Sequence, residues 1–141
     1  VSVLASAVGA ACFAFLFGGG AAEVLTAFVA GALEMLLLKF GHKNTTNRIF
    51  IDIAAAAVCT AAALGAKYLL VPGLNTGTAI IGGLMVLTPG VALTMGVRDF
   101  VNADYLSGTI RLFDALLVAG CLALGVVLAY MVGHGLWGVV L

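Results

Sequence analysis

Five apolar runs, each closed by a short polar or glycine-rich turn, divide the chain at 1–17, 21–40, 49–70, 78–101 and 109–131. Each approaches the roughly 20 residues an α-helix needs to cross the hydrocarbon of a bilayer. The runs are continuous, without the ten-residue alternation of a transmembrane β-barrel. The pattern therefore predicts an all-α polytopic membrane protein with five transmembrane helices. Gly18-Gly19-Gly20 makes the first turn, and Gly41 to Arg48 is the most polar loop, with Thr46 or Asn47 able to cap the third helix. Val71 to Gly77 is the next turn, with Asn75 or Thr76 as cap, and Ser107 is a plausible cap for the fifth run. Alanine blocks at 54–57 and 61–63 with Gly65 give the third run a small-residue face for close packing. The tail from Val132 to Leu141 carries Trp137, which suits an interfacial anchor.

The fourth run contains the feature around which the others are arranged. Leu87-Thr88-Pro89-Gly90-Val91 lies at its middle. Proline removes one backbone donor there, and its ring clashes with the carbonyl four residues back, at Met85. Gly90 beside it admits backbone conformations other residues avoid. Polar backbone groups freed in this way are tolerated only inside protein or on a water-filled cavity. The expectation is a helix broken at Pro89–Gly90, near the bilayer midplane, where secondary transporters place their substrates.

Composition agrees with the membrane reading. The chain is 141 residues long and 64% hydrophobic, with six Lys+Arg against six Asp+Glu, and its mean hydropathy is +1.26. Soluble domains carry about a quarter of charged residues. Zero net charge gives nucleic acid no basic surface. Cys12, Cys59 and Cys121 fall inside apolar runs and read as small packing residues, with no disulfide or metal spacing. The chain opens directly in an apolar run with no basic leader, so a longer protein with a further N-terminal region is expected. With a cytoplasmic N-terminus, Lys39, Lys43, Arg48, Arg98 and Arg111 face the cytoplasm and only Lys67 faces outwards. Asn44-Thr45-Thr46 matches a glycosylation acceptor, but on that side no glycosylating enzyme meets it.

Candidate chemistry sits on the fourth run and its flanks. Gly83, Gly90, Thr94 and Arg98 are spaced to share one helix face, read either as a cavity lining with Thr88 or as a packing face. Arg98, Asp99, Asn102, Asp104, Ser107 and Arg111 cluster at the next junction, as a solvated loop with surface ion pairs or as a gate. Four acids lie in or near the runs. Asp114 is roughly 8 Å inside the fifth run at ~1.5 Å per residue; Asp52 and Glu34 lie on the same, water-accessible side. Glu23 lies near the outer surface, with Lys67 as its expected partner. Ionisable groups in membrane spans are functional candidates. For Asp114 the alternative is a pair with Arg111, three residues earlier on the same face. No nucleophile elbow surrounds Ser107-Gly108, and His42 and His134 have no Ser or Cys partner, so no enzyme, cofactor or metal site is expected.

The order Leu87-Thr88-Pro89-Gly90-Val91-Ala92-Leu93-Thr94, then Arg98-Asp99-Phe100-Val101-Asn102-Ala103-Asp104, then Ser107-Gly108 and Arg111-Leu112, resembles the signature of the threonine/serine exporter family, roughly L-V-P-G-x-x-L-T-N-A-I-R-D-L-x-x-G-D-x-x-S-G-x-x-R-L. Ala11-Cys12-Phe13-Ala14, Phe17 to Gly20 and Gly135-Leu136-Trp137-Gly138 are similar too, so the likeness covers essentially the whole chain. Two positions differ: Met95 stands where an Asn is common, and Ala103 where a Gly precedes the second acid. The resemblance implies an inner-membrane exporter of threonine, serine and similar small amino acids, driven by the proton-motive force. It implies a soluble N-terminal region before this domain. It also implies a second helical half, fused or supplied as a small membrane subunit, in an oligomeric assembly. In that setting Thr88, Pro89, Gly90 and Thr94 are the candidate substrate residues. Arg98, Asp99, Asn102, Asp114 and Asp52 are the candidates for proton coupling or gating. The rivals are a non-transporting anchor or assembly subunit, marked by tight packing of the Gly83–Gly90–Thr94 face, and a passive small-solute channel.

Overall fold

The computed structural model describes residues 1–44 and 47–138. Among these residues the chain forms six α-helices and no strand: α1 Ser2–Leu16, α2 Ala21–Asn44, α3 Arg48–Leu69, α4 Thr76–Leu84, α5 Gly90–Val101 and α6 Tyr105–Trp137. Three of them, α2, α3 and α6, are long and apolar enough to cross a membrane. Large apolar side chains such as Leu25, Leu69, Phe113 and Leu116 stand exposed on the outside, as a lipid-facing surface requires. The protein is a helical membrane protein.

Several boundaries differ from the apolar pattern. The helix α2 runs on through the polar loop to Asn44, and α6 is one helix of 33 residues that absorbs most of the tail. Main-chain hydrogen bonding carries a helix past the end of its apolar face when nothing breaks it. The helix α1 has 15 residues, about 22 Å at ~1.5 Å per residue and short for a crossing on its own. The expected caps are also corrected. Asp104, rather than Ser107, caps α6, its side chain accepting from the Ser107 amide at 3.3 Å. Asn47 and Asn75 occupy the N-cap positions of α3 and α4 without a side-chain cap bond. Thr45 and Thr46 lie outside the described residues, as do the side chains of His42, Asn44 and Trp137, so the acceptor sequence, the Thr46 cap and the aromatic anchor do too.

The bundle is built from small residues. The helix α2 packs against α1, α3 and α4, and α6 packs against α3 and α5. Ala10, Ala14 and Ala27 are fully buried where α1 meets α2, and Val86 packs against them. Ala56, Val118 and Leu122 form the α3–α6 core, joined by Leu84 and Leu87. A Cβ on Gly82 would lie 2.9 Å from the Ala14 backbone, so α1 and α4 touch almost backbone to backbone. With no hydrophobic drive between helices in lipid, such close approach is what supplies van der Waals contact. Ser6, buried in α1, donates to the Gly31 carbonyl of α2 at 3.1 Å. The turn after α1 closes through Gly18 at φ 80, a left-handed conformation that glycine adopts without a Cβ penalty.

Candidate functional site

Five residues, Met85 to Pro89, lie between the end of α4 and the start of α5; Met85 keeps helical dihedrals, at φ −59 and ψ −28, and the residues after it form a turn. Proline explains the restart: it sits at the N-cap of α5 with φ −77 and ψ 54, where its missing N–H costs nothing. The segment is held between two parts of the core. Val86 reaches the α1–α2 cluster, while Leu84 and Leu87 reach the α3–α6 cluster. One side of it is therefore packed on the bundle, through Val86 and Leu87, while Met85 and Thr88 stay exposed.

The backbone there is only partly satisfied. The Leu84 carbonyl accepts from the amides of Leu87 at 2.9 Å and Thr88 at 3.0 Å, and the Gly90 amide turns back to the Thr88 carbonyl at 2.7 Å. Among the described residues, the carbonyls of Met85, Val86 and Leu87 accept no hydrogen bond. The amides of Val91 and Ala92, in the first turn of α5, have no intrahelical acceptor. Carbonyl oxygens thus gather where α4 ends and amide hydrogens where α5 begins, with the negative and positive ends of two helix dipoles facing one short stretch. An open groove of about 510 Å³ reaches it, lined by Ser2, Ser6, Met35, Leu38, Val86 and Leu87.

The residues singled out by the sequence distribute unevenly around this segment. Thr88 and Thr94 are exposed, and each hydroxyl donates to the carbonyl four residues back, Thr88 to Leu84 at 3.1 Å and Thr94 to Gly90 at 2.7 Å. Their donors are used within the helix and only lone pairs face outwards. Pro89 is half-buried and Gly90 exposed, with nothing within 4 Å of a Cβ placed on Gly90. The single stripe expected from Gly83 to Arg98 is corrected. The non-helical residues separate Gly83, which is buried in α4 against Cys59, from Gly90, Thr94 and Arg98, which are exposed on α5. Helical spacing relates residues only while the helix continues.

At the α5–α6 corner the structure brings some of the predicted charges together. Arg111 Nε lies 3.1 Å from Asp99 Oδ2, and the same oxygen accepts from the Ser107 hydroxyl at 2.9 Å. The expected Arg111–Asp114 pair is therefore not formed. The tight turn through Ala103, at φ 62, folds α5 back and presents Asp99 to Arg111 more closely than the local spacing does. Asp114 is exposed and has no ion pair among the described residues, while Asn102 ends α5 and is exposed. A second groove, about 400 Å³, runs along Asp104, Ser107 and Arg111. Asp52 is buried in α3 near Arg48, at 3.8 Å. Glu23 takes the Asn75 amide at 3.1 Å in place of Lys67 as its partner.

Glu34 is the largest departure from expectation. Its predicted position on a water-accessible side is wrong: it is 1% exposed, and neither carboxyl oxygen has a hydrogen-bond partner among the described residues. Hydropathy places a residue along a helix; only the packing of α1, α3 and α4 around α2 encloses it. Buried cysteines Cys59 and Cys121 carry free thiols, as does exposed Cys12, and among the described residues no cluster of His, Cys, Asp and Glu has metal-binding proximity.

A family model for threonine/serine exporters, ThrE, matches residues 1–133. No curated protein and no solved structure matches the chain significantly. The family match spans α1 to α5, the Pro89 segment, the Asp99–Arg111 corner and α6 as far as Gly133, and by it the chain belongs to the threonine/serine exporter family.

Proposed function

We propose that this chain is one helical half of a secondary active transporter that exports threonine, serine or a similar small amino acid in exchange for protons. The observation that supports the proposal is the end of α4 and the start of α5 on either side of Met85–Pro89, with Val86 against the α1–α2 core and Leu84 and Leu87 against the α3–α6 core. A zwitterion needs what these ends offer. The Val91 and Ala92 amides suit the substrate carboxylate, since a helix N-terminus favours an anion. The free carbonyls of Met85, Val86 and Leu87 suit the ammonium. Thr88 and Thr94 lone pairs accept from the substrate hydroxyl, which distinguishes serine and threonine from alanine or valine.

In this reading the chain crosses the inner membrane five times from a cytoplasmic N-terminus. The helix α4, residues 85–89 and α5 together make the fourth crossing. Arg98, Asp99 and Asn102 serve the cytoplasmic gate, and Asp52 and Asp114 are acids on the proton's route to and from water. A second helical half, fused or separate, covers the open side of α5 and α6. Exposed Asp114 supports that partner, because a carboxylate turned from an apolar helix towards lipid is costly.

The test is proton-driven threonine and serine efflux from proteoliposomes holding the full-length protein with any second half. Pro89→Ala with Gly90→Leu closes the break in favour of continuous helix, and efflux is expected to fall to background. Undiminished efflux at equal protein content would remove the break from transport.

A further inference from the structure

Glu34 lies deep in the interface of four helices, closed off from solvent. It sits one turn beyond Ala30 on α2. A Cβ on Gly83 of α4 would meet Cys59 Sγ of α3 and lie 3.7 Å from Ala30 Cβ, so this turn of α2 is where α3 and α4 converge. On the other side, Met35 and Leu38 share a groove with Val86 and Leu87 of the non-helical segment and with Ser6 of α1. Glu34 thus belongs to the turn of α2 that packs near the end of α4, and Met35 next to it lines the groove that reaches Val86 and Leu87. Both of its oxygens are unpartnered among the described residues.

Among the described residues, the surrounding elements bring no cation to it. The only titratable side chain of α1 is Cys12, which is exposed. The helix α3 offers buried Cys59 and, further along, Asp52 beside Arg48, with Lys67 at its far end. The helix α4 has no titratable residue. On α2 itself Lys39 is exposed, Lys43 follows it near the far end, and Glu23 bonds to Asn75 near the other. An ionised carboxylate enclosed without a partner is strongly disfavoured, so the form that fits this enclosure is the neutral acid.

We infer that Glu34 is the exchange site of the transport cycle, a single carboxyl that, whenever the site is closed, holds either a proton or the ammonium of the exported amino acid. This rests on the exporter reading. When the groove along Val86 and Leu87 opens to Glu34, the arriving ammonium becomes the partner of the carboxylate and one proton leaves to water. On the opposite side the substrate leaves, a proton returns, and the site closes again into the enclosed form of this structure. Coupling follows from the cost of enclosing the bare carboxylate: the empty, ionised carrier does not close, so neither ligand moves without the other.

The experiment measures threonine binding across pH and gradient-driven efflux for the wild-type full-length protein, Glu34→Gln and Glu34→Asp. Competition at one carboxyl predicts that wild-type binding weakens about tenfold for each pH unit below the titration of that group. Glu34→Gln is expected to bind with no such pH dependence and to lose gradient-driven efflux by on the order of tenfold or more, the scale of coupling between two ligands. Glu34→Asp retains exchange with a displaced pH profile, a shift that loss of packing alone does not produce. Wild-type efflux or a wild-type pH profile in Glu34→Gln overturns the inference while leaving the exporter reading intact. Should Glu34→Gln not fold, an unshifted profile in Glu34→Asp overturns it equally. A wild-type protein that moves no amino acid defeats the exporter reading, and this inference with it.

Discussion

Gly83 of α4 leaves no room for a side chain against Cys59 of α3: a Cβ at Gly83 would stand 2.5 Å from the buried Cys59 Sγ. The sulfur belongs to a fully buried side chain, so it has to turn within the core or the helices have to part. Gly83→Ala is expected to destabilise the bundle by about 1–3 kcal/mol, the usual scale of overpacking. Cys59→Ala removes the obstructing atom. The double variant is therefore expected to recover most of the loss, giving a favourable interaction energy in a double-mutant cycle. Thermal unfolding of the four proteins in one detergent reads this directly. Additive losses would mean that the two helices do not meet at these residues.

Ala103 is the one non-glycine residue with positive φ among those described, at 62. A left-handed conformation costs an L-residue about 1–2 kcal/mol, and the exporter signature has glycine at this position. Ala103→Gly is expected to raise the melting temperature, the relief of strain being partly offset by glycine's freedom in the unfolded chain. Ala103→Val, β-branched, is expected to lower it. The order Gly above Ala above Val is the prediction; Val equal to Ala would deny the strained turn.

The Asp99–Arg111 pair is half-exposed, with side-chain exposures of 23% and 51%, so as a stabilising contact it is weak. Arg111→Gln is expected to change stability by no more than about 1 kcal/mol. In the proposed cytoplasmic gate its loss is expected to have a second effect: threonine leaks faster when no proton gradient is applied. A stable Arg111→Gln protein with unchanged leak would leave the pair holding the corner and nothing more.

These cases show where the chain's pattern speaks and where it is silent. Continuous apolar runs announce membrane helices, because lipid demands them residue by residue. Pro89 announces that a helix does not pass through it, because its ring and missing N–H act locally. That α4 ends as early as Leu84 follows instead from Val86 and Leu87 reaching into separate core clusters. The partner of Arg111 is hidden from the sequence for a similar reason. Spacing favours Asp114, but the Ala103 turn delivers Asp99 from another helix. Glu34 carries no local mark of its enclosure. Its burial depends on small residues contributed by neighbouring helices far away in the chain, such as Cys59 and Gly83.

The proposed transport requires the segment around Pro89 to meet the substrate. Gly90→Cys tests this directly, since nothing lies within 4 Å of a Cβ at that position and the thiol fits without repacking. The measurement is the rate at which a membrane-impermeant thiol reagent labels Gly90→Cys in proteoliposomes, in a background with Cys12, Cys59 and Cys121 replaced by serine or alanine. With threonine at ten times its Kd, the free fraction and hence the labelling rate is expected to fall about tenfold, while leucine at the same concentration has little effect. A thiol at residue 90 that labels equally fast with and without threonine, in a protein that still exports it, would contradict the account.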